Sequence, residues 1–280
     1  MDVKSNDLSF KTMMVFATEM INLLKVKFPH SSIDDWQGYL VQRLSLMLQT
    51  YGTFSKVLLE DKDYITANTI LRMMVDNLAI TKFIYVDHEG EMRLLRHYLF
   101  LLDGSLTFIK LTDSMENVDN LIGKGRERSI DEAQYIKGQI TKLQLYKDNC
   151  KAINILFNIE KRVSNWKFYK FLDNKNFRFH ELYSNLEIAP NIVAYLDYLS
   201  QFAHGLSLYS LGTVASTQNV PFLIETRNML LGMLTNYIYK LFSEHIGIDN
   251  GLIESLRTKL NRNELEWFLE LATNSSKHSK

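Results

Sequence analysis

Residues 63–86 read DYITANTILRMMVDNLAITKFIYV, and this stretch decides the fold class. Only Asp63, Arg72, Asp76 and Lys82 are charged among its 24 residues, and apolar side chains fall on most faces of a helical period. A helix of that kind is buried nearly all round, so it predicts a core assembled from other helices about it.

The flanks extend the pattern. Leu8 to Lys27 reads as a first helix that stops before Pro29, whose ring disfavours a helical conformation in the residue before it. Ser32 and Asp35 resemble a capping box for a helix from Ile33 to about Leu59, and Glu91 to Leu111 forms another. Asp113 to Arg128 lacks apolar periodicity and contains Gly123 and Gly125, which predicts a loop. Ser129-Ile130-Asp131-Glu132 is a regular capping box, from which a long helix is expected to run to about Val163. After the mixed, aromatic stretch Trp166 to Glu187, Pro190 opens a helix to about Leu211. Another begins at Asn219 or Val220 and ends near Gly247, and a last one lies between Gly251 and Ala272. The expected architecture is all-α: a single helical domain over residues 1–272, of eight or nine helices, with a polar tail at 273–280. Its central bundle is drawn from residues 33–111 and 190–246.

Composition narrows the function classes. With 280 residues, 46% hydrophobic, the chain has ample material for a core, and only three prolines and twelve glycines interrupt it. Its 32 basic and 32 acidic side chains cancel, so a nucleic-acid or lipid partner needs a local patch. A lone cysteine, Cys150, and the lack of a signal-peptide pattern in the first thirty residues point to the cytoplasm. The uncharged run between Asp197 and Glu225 contains Ser200, Gln201, His204, Gly212 and Pro221, too polar for a spanning helix, so no membrane partner is expected. No metal-ligand spacing, Walker loop or serine-hydrolase elbow occurs, and no cofactor is expected.

Three constellations carry the functional expectations. Asn68, Arg72 and Asp76 recur at i, i+4 and i+8, and Asp197, Ser200, His204 and Ser207 at i, i+3, i+7 and i+10. Each set makes a polar stripe on an apolar helix, and buried charges need partners, so the stripes are expected to meet or to line a wet cleft. As a catalytic group, His204 acts as acid or base, Arg72 anchors a phosphate, and Asp76 and Ser200 orient. The alternative is an Arg72–Asp76 ion pair within a structural network that holds two helices in register. Arg93, Arg96 and His97 offer three phosphate contacts, or merely a charged helix face. Lys161, Arg162, Lys167, Lys170, Lys175 and Arg178, interleaved with aromatics from Trp166 to Phe179, have a single-strand-binding composition; the alternative has the rings inward and the lysines in water.

The segments Leu71 to Asp76 and Tyr195 to His204 resemble the bacterial helical family called domain of unknown function 5677, whose pattern has Arg, an acid four residues on, then Tyr, Ser and His on a later helix. The resemblance spans roughly Gln42 to Leu211, with Asp76 where that pattern has the longer Glu. It is also similar to the wider HEPN superfamily, which implies a helical RNase of toxin or phage-defence systems. Active members carry an Arg and a His separated by four to six residues on one helix. His204 lacks such an Arg, and Arg93 to His97 has three intervening residues. The expected function is that of an RNA-directed accessory or effector protein with metal-independent phosphodiester cleavage. The alternative is a non-catalytic interaction module that pairs with a second copy or another protein.

Overall fold

The computed structural model describes residues 3–30, 32–115, 119–171, 176–186, 188, 194–196, 199, 220–247 and 250–266. They are overwhelmingly helical, as the apolar periodicity predicts. In chain order the elements are α1 (Val3–Lys27), α2 (Trp36–Leu59), α3 (Tyr64–Thr81) continuing as a π-helical turn (Lys82–Val86), α4 (Gly90–Asp113), α5 (Asn120–Lys142) and α6 (Gln144–Leu156). A short antiparallel hairpin follows, β1 (Phe157–Asn158) and β2 (Val163–Ser164), then α7 (Phe179–Ser184), α8 (Val220–His245) and α9 (Asn250–Lys259). The chain forms two compact units, one of residues 1–31, 37–78 and 189–280, the other of 32–36 and 79–188.

In the first unit α1 packs on α8 and α9. Met20, Ile21 and Leu24 of α1 are sealed, as are Leu230, Leu234, Ile238 and Phe242 of α8. Burial of each such side chain contributes about 1.5–3 kcal/mol. Two buried charged groups of this unit find their partners inside it. Glu19, buried on α1, receives Lys259 Nζ at 2.6 Å and the Ser255 hydroxyl, which ties α1 to α9. Arg227, fully buried on α8, lies 3.7 Å from the Phe10 ring and donates to Ser55 Oγ at 3.0 Å. Asp63 starts α3 by accepting the Thr66 N–H at 3.0 Å, the usual role of an aspartate at a helix N-cap.

The second unit corrects two expectations. Residues 120–128 are helical where a loop was expected: Asp119 accepts the Ile122 N–H at 2.8 Å, and Arg126 pairs with Asp113 at 2.7 Å. Gly125 sits where a Cβ would stand 3.3 Å from the Phe108 ring, so the glycine that looked like loop chemistry lets α5 approach α4. The contacts Phe108 to Gly125 and Ser105 to Glu132 make α4 and α5 antiparallel. Ser129 to Glu132 is consequently mid-helix and caps nothing; Ser129 is buried and Glu132 pairs with Arg128 at 3.0 Å.

The long helix expected to reach Val163 also breaks. Leu143 is extended (ψ 139°), and Glu91 at the start of α4 accepts the N–H groups of Gln144 and Leu145 at 2.9 and 2.5 Å. A remote carboxylate thereby caps α6, while the hairpin ends it. Likewise, in the first unit, the last helix stops at Lys259, where Asn261 and Glu264 exchange side-chain to backbone hydrogen bonds of 2.7 and 3.0 Å and open a new turn. The second helix begins at Trp36 rather than Ile33; Ser32 Oγ still accepts the Asp35 N–H at 3.1 Å, in a turn that precedes it.

Candidate functional site

On α3 the polar stripe stands as its spacing predicts. Arg72 Nε lies 3.5 Å from Asp76 Oδ1, one turn along, and its Nη1 donates to the Leu196 carbonyl at 2.8 Å. Asn68, buried, donates to the Tyr64 carbonyl at 2.7 Å, which turns its Oδ1 toward the Tyr195 hydroxyl at 2.7 Å. The Tyr195 ring packs edge-on against Phe222, 4.8 Å between centroids. The α3 stripe thus contacts Tyr195 and Leu196 of the later segment, neither of which belongs to its polar stripe. Ser200 and His204, with Asp197 and Ser207, lie outside the described residues. With side-chain exposures of 14% and 32%, the Arg72–Asp76 pair is partly sealed; its guanidinium holds a main-chain carbonyl in place.

Arg93, Arg96 and His97 do not form the open phosphate face considered above. Arg96 and His97 are buried, at 3% and 0% exposure. The Arg96 guanidinium sits 4.2 and 4.0 Å from the Phe83 and Phe168 ring centroids and donates to the Trp166 and Phe168 carbonyls at 2.9 and 3.1 Å. Burial pushes it down to about 9. His97 has one determined tautomer: the Ile33 carbonyl, 3.1 Å from Nε2, can only accept, so Nε2 carries the proton and Nδ1 accepts from the Tyr85 hydroxyl at 2.8 Å. Burial drives His97 down to about 4, and the neighbouring Asp34 and Asp35 only partly offset it. Arg93 is half-buried, 4.5 Å over the Trp36 ring, with Nε donating to the His88 carbonyl at 2.8 Å. These three residues organise the interior where phosphate contacts were expected.

The basic aromatic segment sorts its side chains in two directions. Trp166 and Phe168 are buried, whereas Tyr169 is 41% exposed and Lys170 Nζ lies 5.4 Å from its ring centroid. Lys161, Lys170 and Arg178 are exposed; Arg162 pairs with Asp113, and Lys167, half-buried, lies 5.5 Å over the Trp166 ring. A bridge between Phe168 and Asn176, with the Phe177 N–H donating to the Lys167 carbonyl at 2.9 Å, brings the two arms of the segment side by side. Lys175 lies outside the described residues.

One set of residues escaped the sequence reading. Tyr39, Gln42, Arg43, Leu46, Met47 and Thr50 share one face of α2 and, with Met73 and Asn77 of α3, line a cavity of about 380 Å3. Their i, i+3, i+4, i+7 spacing was visible but is equally the signature of a core stripe. Among the described residues no group of three His, Cys, Asp or Glu is placed to hold a metal ion, and no helix is long and apolar enough to cross a membrane. No family model matches the chain, and neither a curated protein nor a solved structure matches it.

Proposed function

We propose that this chain is an RNA-directed accessory or effector protein of bacterial defence or toxin type, and that it engages single-stranded RNA on the segment 161–178. The observation that carries the reading is the outward pairing of Tyr169 with Lys170, flanked by exposed Lys161 and Arg178. A ring for stacking and cations for phosphates is the composition that binds unpaired bases without reading their sequence. Arg96 supports this surface from below, because its two hydrogen bonds fix the backbone at Trp166 and Phe168 on either side of Lys167.

The test is fluorescence anisotropy of a labelled mixed-sequence single-stranded RNA at low salt. Stacking of one base on an aromatic ring contributes about 1–3 kcal/mol, so Tyr169→Ala is expected to weaken binding roughly tenfold. Three cations predict a slope of log affinity on log salt of about −2. Binding that is absent, or unchanged in Tyr169→Ala, refutes the proposal.

Cleavage at Arg72 and His204 is tested separately by incubating a mixed RNA pool with wild type, Arg72→Ala and His204→Ala, after a check that both variants are folded. Cleavage that is lost in folded variants supports the catalytic role. The competing reading, a non-catalytic interaction module, draws on the commitment of Arg72 to Asp76 and to the Leu196 carbonyl. An inert wild type decides for it.

A further inference from the structure

We infer that the outer face of α4 and α5 is the surface on which two copies of this chain pair about a two-fold axis, a role independent of RNA binding. On α5 the exposed residues Leu121, Lys124, Glu127, Arg128, Asp131 and Tyr135 recur at three- and four-residue spacing and so share one stripe of the helix. The stripe is its own complement when reversed. Laid antiparallel on a second copy, with the axis between Glu127 and Arg128, it sets Lys124 against the second copy's Asp131 and Glu127 against its Arg128. Leu121 then meets the ring of the second copy's Tyr135, and the two-fold axis repeats each of these contacts. A slip of one turn in either direction keeps only half of the ion pairs, so the charges fix the register.

Within one chain this spacing is mildly unfavourable. Lys124 and Arg128, like Glu127 and Asp131, are like charges one turn apart, which destabilises a lone helix. The antiparallel copy sets an opposite charge against each of them. Arg128 is paired with Glu132 at 3.0 Å, and its five-donor fork has further N–H groups for the second copy's Glu127. The Tyr135 hydroxyl donates to Asp34, which holds the ring in place for Leu121. Surface ion pairs alone contribute little, so the stabilising part of the contact is apolar. Leu121 leaves 80% of its surface in water and Leu111 52%, and Phe108 and Met115 of α4 are exposed beside them. The Phe108 ring lies over Gly125, one turn from Leu121, so the apolar groups of α4 continue the α5 stripe. Two antiparallel helices of this length, about 35 Å by about 20 Å, offer roughly 700 Å2, close to the roughly 800 Å2 per partner of a standard specific interface.

The experiment is sedimentation equilibrium of the full chain at low ionic strength and tens of micromolar. Wild type is expected at twice the chain mass. Lys124→Glu or Asp131→Lys alone turns attractive pairs of the dimer into repulsive ones, and each is expected to weaken association at least tenfold with unchanged helix content by circular dichroism. Mixing the two variants separates pairing from any effect on folding, because across a heterodimer every reversed charge again faces its opposite. The mixture is expected to associate within about threefold of wild type. Leu121→Ser, at an exposed position, tests the apolar end and is expected to weaken association about tenfold. A monomeric wild type leaves the face to some other partner and overturns the proposal. Charge variants that associate as well as wild type place the interface elsewhere, and a mixture that stays monomeric refutes the antiparallel register.

Discussion

Acidification to about pH 5 is expected to cost the second unit about 2 kcal/mol through His97 alone. The imidazole is fully buried and held down to about 4, against an ordinary 6.5 in an unfolded chain. Because the folded value is the lower one, the unfolded chain binds more protons between those limits, and stability falls as pH drops through them. At 1.36 kcal/mol per unit, the penalty starts near pH 6.5, reaches about 2 kcal/mol at pH 5 and about 3 kcal/mol at pH 4. The cause is geometric. Protonation puts a second N–H on Nδ1, where the Tyr85 hydroxyl now donates, and leaves a cation in a sealed site whose nearest carboxylates, Asp34 and Asp35, lower the cost only in part. His88, half-buried and also near 4 through burial and the charge of Arg96, acts with the same sign. Asp103, raised by burial, acts against it. The assay is urea denaturation of wild type and His97→Gln between pH 7 and 5; glutamine keeps a donor for Ile33 and cannot titrate. Wild type is expected to lose about 2 kcal/mol more than the variant over that range. Parallel curves, within about 0.5 kcal/mol, would refute the buried neutral imidazole.

Arg96→Met leaves the Trp166 and Phe168 carbonyls without donors, a loss partly offset because a cation is no longer buried, and is expected to lower stability by about 1–3 kcal/mol, read by intrinsic tryptophan fluorescence in urea; an unchanged or raised stability contradicts the role of Arg96 in holding the two carbonyls. Gly123→Ala tests the correction of the 113–128 region: a Cβ there meets nothing within 4 Å, so the substitution stabilises by about 0.5–1 kcal/mol if α5 begins at Asn120, whereas no gain in thermal stability favours a loop.

What could be read from one dimension is what depends on local pattern. The charge-poor run 63–86 reports its own burial, and Leu71, Val75 and Leu78 are indeed sealed, because a stripe of apolar groups must leave water whatever its partner is. The α3 stripe was legible for the same reason, since Arg72 and Asp76 needed partners and the later segment supplies Leu196 to one of them. Capping signals were weaker guides. Ser129 to Glu132 has the composition of a helix start, yet the end that it would cap does not exist, because Asp119 opens the helix earlier and Ser129 lies buried within α5. At Leu143 the opposite occurs: nothing local announces a break, and the carboxylate that makes it tolerable comes from Glu91, more than fifty residues away.

The chain's own sequence thus determined its helical class and the burial of its apolar stripes, through side-chain periodicity and the cost of wet hydrocarbon. Only the tertiary structure decided which cations are interior and which face water. Arg96 and Lys170 look alike in a basic, aromatic context, but two backbone carbonyls and two rings draw Arg96 inside, while Lys170 stays out beside a half-exposed tyrosine. The α2/α3 cavity is of the same kind: its helical spacing is written in the chain, but whether a face meets a neighbour or leaves a gap depends on how far apart two helices settle.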